Sequence, residues 1–133
     1  MKRTKPYKHT PISIASRKAK GRNLQKWVMQ QISDILNMEC GKDALISSRE
    51  MGQSGTDVRL IGKALEQFPF AVECKAQEKI NLGEWIKQAK SNSKRGVDWL
   101  LVMKQKFNEP VVVIDAERFF TFYKILHSKL YDK

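Results

Sequence analysis

The chain has 133 residues and a formal net charge of +11 at pH 7. Its length suits one domain with a single core, and it contains no apolar run of about eighteen residues and no apolar stretch behind the basic N-terminus. The sequence therefore predicts neither a membrane span nor a secretory signal, and a cytoplasmic location is expected. The two cysteines, Cys40 and Cys74, give no disulfide framework, and no Cys/His cluster has zinc spacing.

The positive charge is concentrated in the first quarter of the chain. Between Met1 and Ser33 there are nine lysines and arginines and no acidic residue. A polyanion is the expected partner, because neutralising phosphates releases counterions and gives affinity without reading sequence. A membrane surface is less suitable, since this segment lacks the apolar stripe that an interfacial helix buries. A solvated tail that only aids solubility is the remaining alternative.

Residues 1–16 contain two prolines and show no helical period, so a basic flexible arm is predicted there, followed by a single domain over 17–133. The first helix is expected to begin near Lys20 or Gly21 and to end near Met38. Gln25 falls inside the apolar stripe of this helix. A polar group on a buried face needs a partner, so Gln25 is either a satisfied core amide or a group facing a site.

Three strands are predicted next, near 44–49, over 56–61 and over 68–76. A loop with two glycines joins the first two and delivers Asp57 to the beginning of the second strand. The third strand is strongly apolar, so it is expected to lie at the centre of a sheet.

The second half of the chain predicts two more helices and two more strands. Asn81 is expected to cap a helix that runs to about Ser91, and strands follow over 98–103 and 111–114. Asp115 is expected to cap a last helix with an apolar stripe at helical spacing. The order α, β, β, β, α, β, β, α describes a small α/β domain with a mixed sheet covered by helices.

The end of the third strand carries a charged pattern. The two-residue period of a strand sends Glu73 and Lys75 to one face and Cys74 to the other. Asp57 lies sixteen positions earlier, so two carboxylates and a lysine can surround one metal-activated water. The alternative is a plain salt bridge between Glu73 and Lys75.

Three segments in this order resemble the PD-(D/E)xK nuclease superfamily. They are Ser54-Gly55-Thr56-Asp57, Glu73-Cys74-Lys75 on the following strand, and Lys20-Gly21-Arg22-Asn23-Leu24-Gln25-Lys26 at the opening of the first helix. The chain looks most similar to archaeal-type Holliday junction resolvases and related phage endonucleases. The resemblance covers most of residues 20–123 and implies a restriction-endonuclease-like αβββαβ core.

The resemblance implies a role for each matching residue. Asp57 and Glu73 would hold Mg²⁺ or Mn²⁺, with the backbone carbonyl of Cys74 as a further ligand. Lys75 would orient or deprotonate the attacking water and offset negative charge, and cleavage would leave 5′-phosphate ends.

Gln25 departs from the family, which more often has a glutamate at that position. An amide can hydrogen-bond a metal-bound water but supplies no third negative charge, so metal affinity would be lower or a second metal absent. Glu50, in the loop before Asp57, is a candidate replacement and is alternatively a solvated surface residue. The residues expected to contact DNA are Lys20, Arg22, Ser54, Lys104 and Lys106.

The function expected from these features is a Mg²⁺-dependent DNA endonuclease that is selective for branched DNA such as Holliday junctions. A homodimer is expected, because two cuts on a two-fold symmetric junction suit two symmetric active sites. One alternative is a nucleic-acid-binding protein that keeps the nuclease fold without efficient catalysis, owing to Gln25. A nicking or duplex nuclease of phage DNA processing is another.

Overall fold

The computed structural model of the chain describes Pro6, residues 17–49 and residues 55–132. The predicted arm over 1–16, together with Glu50 and Ser54, lies outside the described residues apart from Pro6. The described elements, in chain order, are α1 (Arg17–Leu36), β1 (Ile46–Ser48), β2 (Val58–Leu60), α2 (Lys63–Gln67), β3 (Phe70–Ala76), α3 (Leu82–Asn92), β4 (Asp98–Lys104), β5 (Val111–Val113) and α4 (Ala116–Tyr131). None of the described helices is long and apolar enough to cross a membrane.

The five strands form one mixed sheet in the order β1-β2-β3-β4-β5. Strands β3 and β4 run parallel, and the other three neighbouring pairs run antiparallel. Helix α3 makes the crossover that a parallel pair requires. The predicted α/β class, the mixed sheet flanked by helices and the central position of the third strand are confirmed.

The sheet is covered on both faces near its centre. Helix α1 packs its buried Leu24, Val28 and Ile32 against a cluster that includes Val72 of β3. On the opposite face, Trp85 of α3 packs against apolar side chains of β4. Because side chains alternate along a strand, β3 sends its odd-numbered residues, including Glu73, toward the α3 face.

Several predicted boundaries were wrong. Helix α1 begins at Arg17, because residues 17–20 are good helix formers, and it ends at Leu36, where Asn37 takes a positive φ of 53°. Strands β1, β2 and β5 have three residues each, so they are shorter than predicted. The five-residue helix α2 was not predicted, since so short a segment shows no clear period.

The two predicted helix caps differ in outcome. Asp115 caps α4 as predicted, because its side chain accepts a hydrogen bond from the backbone N–H of Arg118 at 3.2 Å. Asn81 does precede α3, but its side chain makes no capping hydrogen bond. Asn81 therefore marked the start of α3 correctly, but the capping hydrogen bond predicted for it was wrong.

Candidate active site

Asp57 and Arg49 face each other at the open end of the β1–β2 hairpin. Arg49 directly follows β1 and Asp57 directly precedes β2, and the antiparallel pairing brings the Arg49 N–H within 2.9 Å of the Asp57 carbonyl oxygen. Their side chains also meet, with Nη2 of Arg49 donating to Oδ1 of Asp57 at 3.0 Å. Asp57 is buried, so this charged partner offsets part of its desolvation.

The second oxygen of Asp57 is bound by β3. The backbone N–H of Cys74 donates to Oδ2 of Asp57 at 2.8 Å. In an extended strand the N–H and C=O of one residue point to the same side, so the Cys74 carbonyl also faces the β2 side of the strand. Two of the predicted ligand groups, the Asp57 carboxylate and the Cys74 carbonyl, therefore lie together.

Glu73 is the third member of the group and is only 1% exposed. Its Oε1 accepts a hydrogen bond from Nδ2 of Asn92, the last residue of α3, at 2.8 Å. The pKa of Glu73 is raised to about 7, first by burial and then by the negative charge of Asp57, while Asn92 and the charge of Lys75 act in the opposite direction. The carboxyl groups of Asp57 and Glu73 are also close enough to share a side-chain hydrogen bond.

The alternative of a plain salt bridge between Glu73 and Lys75 does not describe this arrangement. The carboxylate of Glu73 is held by an amide, and Lys75 stands half-buried at the wall of an adjacent cleft. Two neighbouring carboxylates are unfavourable in their doubly ionised state unless a cation joins them.

The donor set fits a hard divalent cation. Mg²⁺ is bound in proteins through one or two carboxylates and otherwise keeps its waters, and Asp57, Glu73 and the Cys74 carbonyl supply oxygen donors of that kind. Among residues 17–49 and 55–132, no group of three or more His, Cys, Asp and Glu side chains is arranged to hold a metal. Glu50, the candidate for a third carboxylate, lies outside the described residues.

A cleft of about 570 Å³ opens beside these residues, between the start of α1 and the end of β3. Its described walls carry more basic than acidic side chains. The basic ones are Lys18, Lys20, Arg49, Lys75 and Lys79, and the acidic ones are Asp57 and Glu78. Field lines from like charges add in such a concave surface, so the cleft attracts anions.

Glu78 links three segments at the rim of the cleft through hydrogen bonds. Its Oε1 accepts from Nζ of Lys20 at 2.8 Å and its Oε2 from the N–H of Lys106 at 3.2 Å. The hydrogen bond from Lys20 is the main cause of a lowered Glu78 pKa. These contacts are exposed and individually weak, but together they connect α1, the segment after β3 and the segment after β4.

The predicted site residues fall into two groups. Asp57, Glu73, Cys74 and Lys75 come together, and Lys20 lines the cleft. The remaining described ones do not join the carboxylates: Arg22 is exposed on α1, Lys106 lies at the rim, and Lys104 donates to the backbone of Gln105 at 2.7 Å.

Gln25 is half-buried about one turn beyond Gly21 on α1, and it is not among the described residues that line the cleft. Its two sequence-based alternatives, a core amide and a site group, therefore both remain predictions. Gln88 of α3, in contrast, does line the cleft. Glu50 and Ser54 lie outside the described residues.

Sequence reasoning missed Arg49 and Asn92. A signal for Arg49 existed, because pairing the two predicted strands as a hairpin places it opposite Asp57. Asn92 lies one helical turn after Gln88, on the same side of α3. Its polarity on that side was a weaker signal, since only tertiary packing brings the end of α3 to Glu73.

The chain was compared with protein-family models, with curated proteins and with solved structures, and no match was found in any of the three. The resemblance of Ser54–Asp57 and Glu73–Lys75 to a nuclease family therefore stays a prediction.

Proposed function

We propose that this protein is a divalent-metal-dependent endonuclease that hydrolyses DNA phosphodiester bonds on a PD-(D/E)xK-type core. The observation that carries the proposal is a pair of neighbouring buried carboxylates, of which Asp57 lines a basic cleft and Glu73 is buried beside it. A structural ion pair accounts poorly for this pair, because the largest effect of a neighbouring charge on Glu73 comes from another acid. A metal-assisted phosphoryl-transfer site needs acidic ligands and basic surroundings together.

In this proposal Asp57, Glu73 and the Cys74 carbonyl hold Mg²⁺, or Mn²⁺ in its place. When bound, the ion lowers the pKa of a water molecule and offsets negative charge at the scissile phosphate. Asn92 fixes the rotamer of Glu73 by donating to Oε1, and the Cys74 N–H fixes that of Asp57. Glu73 is thereby preorganised on β3, and Asp57 is preorganised directly before β2.

Two basic residues act beside the carboxylates. Lys75 shares the β3 face of Glu73 and reaches the cleft, where it positions or deprotonates the attacking water. Arg49 is bound to Asp57 through Nη2 and lines the cleft, and a guanidinium is the side chain best suited to a phosphate oxygen. In-line attack then leaves a 5′-phosphate and a 3′-hydroxyl.

Branched DNA, such as a Holliday junction, is the proposed substrate class. The described cleft offers lysines and arginine, which contact phosphates, rather than a helix or ribbon aimed at base edges. The protein is therefore better suited to recognise the shape and deformability of DNA than its base sequence. A comparison of branched with linear DNA tests this directly.

We expect the protein to cut a four-way junction in preference to a linear duplex, a flap or a single strand at equal strand concentration. Cleavage should require Mg²⁺ or Mn²⁺ and should stop in excess chelator, because the two acids alone have no means of activating water. Denaturing gels of end-labelled strands measure both the position and the number of cuts. Equal cutting of the duplex would contradict junction selectivity, and activity in chelator would contradict the metal-dependent mechanism.

The basic cleft predicts a specific change in salt dependence. Lys18→Gln with Lys79→Gln should weaken DNA binding and should flatten the plot of log affinity against log salt by about 0.9 for each phosphate that the protein no longer neutralises. Both side chains line the cleft and are exposed. Lys63→Gln, on α2 away from the cleft, is the matched control and should leave the slope unchanged. Equal slopes in the wild type and both variants would place the DNA elsewhere.

A nucleic-acid-binding protein without efficient catalysis is the second candidate function. It is favoured by the two-carboxylate set among the described residues and by the absence of Gln25 from the described cleft wall. Tight binding of DNA with no cleavage of any substrate, under any divalent metal, would support this candidate over the nuclease.

A further inference from the structure

Helix α4 is exposed over its whole length. None of its residues from Ala116 to Tyr131 is buried. Its large apolar side chains that are about half or more exposed include Phe119, Phe120, Tyr123, Leu126, Leu130 and Tyr131. It is attached to the body of the domain by Phe122, whose ring lies 5.5 Å from that of Phe70, and by an ion pair of Arg118 with Asp98 at 3.0 Å.

Such a helix needs a packing partner. Helices of about 12–15 residues are marginal in water on their own, and most helical stability in proteins comes from burying an apolar face. The attachments at Phe122 and Arg118 leave each large apolar residue of that face about half exposed or more. The apolar stripe of α4 therefore indicates a surface that another element covers.

The spacing of the stripe is that of a helix–helix seam. Phe119, Tyr123, Leu126 and Leu130 recur at intervals of four, three and four residues, which is the alternation of core positions where two helices pack side by side. Each of these four residues is between 49% and 54% exposed. A straight partner helix would cover all four at once.

The helix dipole of α4 selects the direction of the partner helix. A second α4 running antiparallel opposes the two helix dipoles, whereas a parallel copy would align them.

The adjoining edge of the sheet continues the apolar surface. Strand β5 is an outer strand made of three valines, of which Val111 is 52% and Val112 is 57% exposed. Uncovered edge strands usually carry charged side chains that prevent association. An aromatic side chain buries roughly 150–250 Å² and a leucine somewhat less, so the six half-exposed side chains of α4 named above offer roughly 650 Å². Each partner in a standard interface buries about 800 Å², and β5 can supply the difference.

We propose that α4 is the interface of a two-fold symmetric homodimer, in which it packs antiparallel against α4 of a second copy and is flanked by β5. A two-fold axis perpendicular to the helices generates this arrangement from one self-complementary surface. Phe70, against which α4 is anchored, begins β3, whereas the cleft is lined by Lys75 and Ala76 near the other end of that strand. The seam and the cleft therefore lie toward opposite ends of β3. The proposal does not depend on nuclease activity.

Light scattering after size exclusion tests the assembly directly. The wild-type chain at micromolar concentration should have twice its monomer mass of 15.4 kDa. Leu126→Glu should give a monomer, with a dissociation constant raised at least ~100-fold because a charge enters the seam twice. Ser128→Glu, on the polar side of α4, should remain dimeric. A monomeric wild type, or a Leu126→Glu protein that stays dimeric, would overturn the proposal.

Disulfide trapping tests the direction and needs no destabilising charge. Phe119→Cys and Leu130→Cys proteins, mixed and allowed to exchange subunits, should form a cross-linked heterodimer under mild oxidation, since an antiparallel seam places 119 opposite 130. Each variant alone should cross-link no more than the wild type, which retains Cys40 and Cys74 as background. Efficient self-cross-linking of either variant alone would contradict the antiparallel arrangement.

Discussion

Glu73→Gln should abolish DNA cleavage while DNA binding and the fold survive. The substitution keeps the size of a side chain that is only 1% exposed, so packing under α3 is preserved. It removes one of the two charges that hold the ion, and an amide oxygen is a weaker ligand than a carboxylate. Loss of a preorganised electrostatic group of this kind lowers turnover by about 1000-fold or more.

The control separates this effect from a general change of charge. Glu66→Gln makes the same chemical change on exposed α2 and should keep full activity. Asp57→Asn should also be inactive, although it leaves the guanidinium of Arg49 without its carboxylate partner at 3.0 Å. Near-normal cleavage by the Glu73→Gln protein would refute the assignment of the site.

The sequence was sufficient for those parts of the fold that follow from periodicity. The apolar run ending in Glu73-Cys74-Lys75 predicted a central strand, and its two-residue period predicted which side chains share a face. The lengths of β1, β2 and β5 were overestimated, because the propensity of a residue for strand does not say where its neighbour in the sheet stops.

The candidate site was predictable only in part. Asp57, Glu73 and Lys75 were proposed from type and spacing, and the structure brings them together, with Asp57 and Lys75 lining the cleft and Glu73 buried beside Asp57. Arg49 and Asn92 escaped notice, because their contacts join residues eight and nineteen positions apart through tertiary packing. The local sequence shows that a residue is polar, but it does not show which residue will be its hydrogen-bond partner in the fold.

Helix α4 shows a third limit. Its period correctly predicted an amphipathic helix capped by Asp115, and such a stripe ordinarily faces the core of its own domain. In the structure the stripe faces outward, and Phe122 reaches the sheet cluster through Phe70. Periodicity identifies the face that must be buried, and it cannot distinguish a core from an interface.

The metal-free protein should lose stability as the pH rises from about 4.5 to about 7. The pKa of Glu73 is about 7 in the fold, against an ordinary value of 4.5, so the folded state binds this proton more tightly than the unfolded chain. The stabilisation is fully present below pH 4.5 and is lost as the pH passes through the folded pKa. A shift of this size corresponds to about 3 kcal/mol of unfolding free energy.

Urea denaturation in chelator at half-unit pH intervals measures this loss. Glu73→Gln should flatten the plot of unfolding free energy against pH between pH 4.5 and 7, whereas Glu66→Gln should leave that plot unchanged. The exposed Glu78 has a lowered pKa, so its contribution is lost below pH 4.5 and does not enter the window. Added Mg²⁺ should stabilise the wild type more at pH 7.5 than at pH 5, because only the ionised pair of acids attracts the cation. A flat wild-type profile between pH 4.5 and 7 would contradict the raised pKa of Glu73.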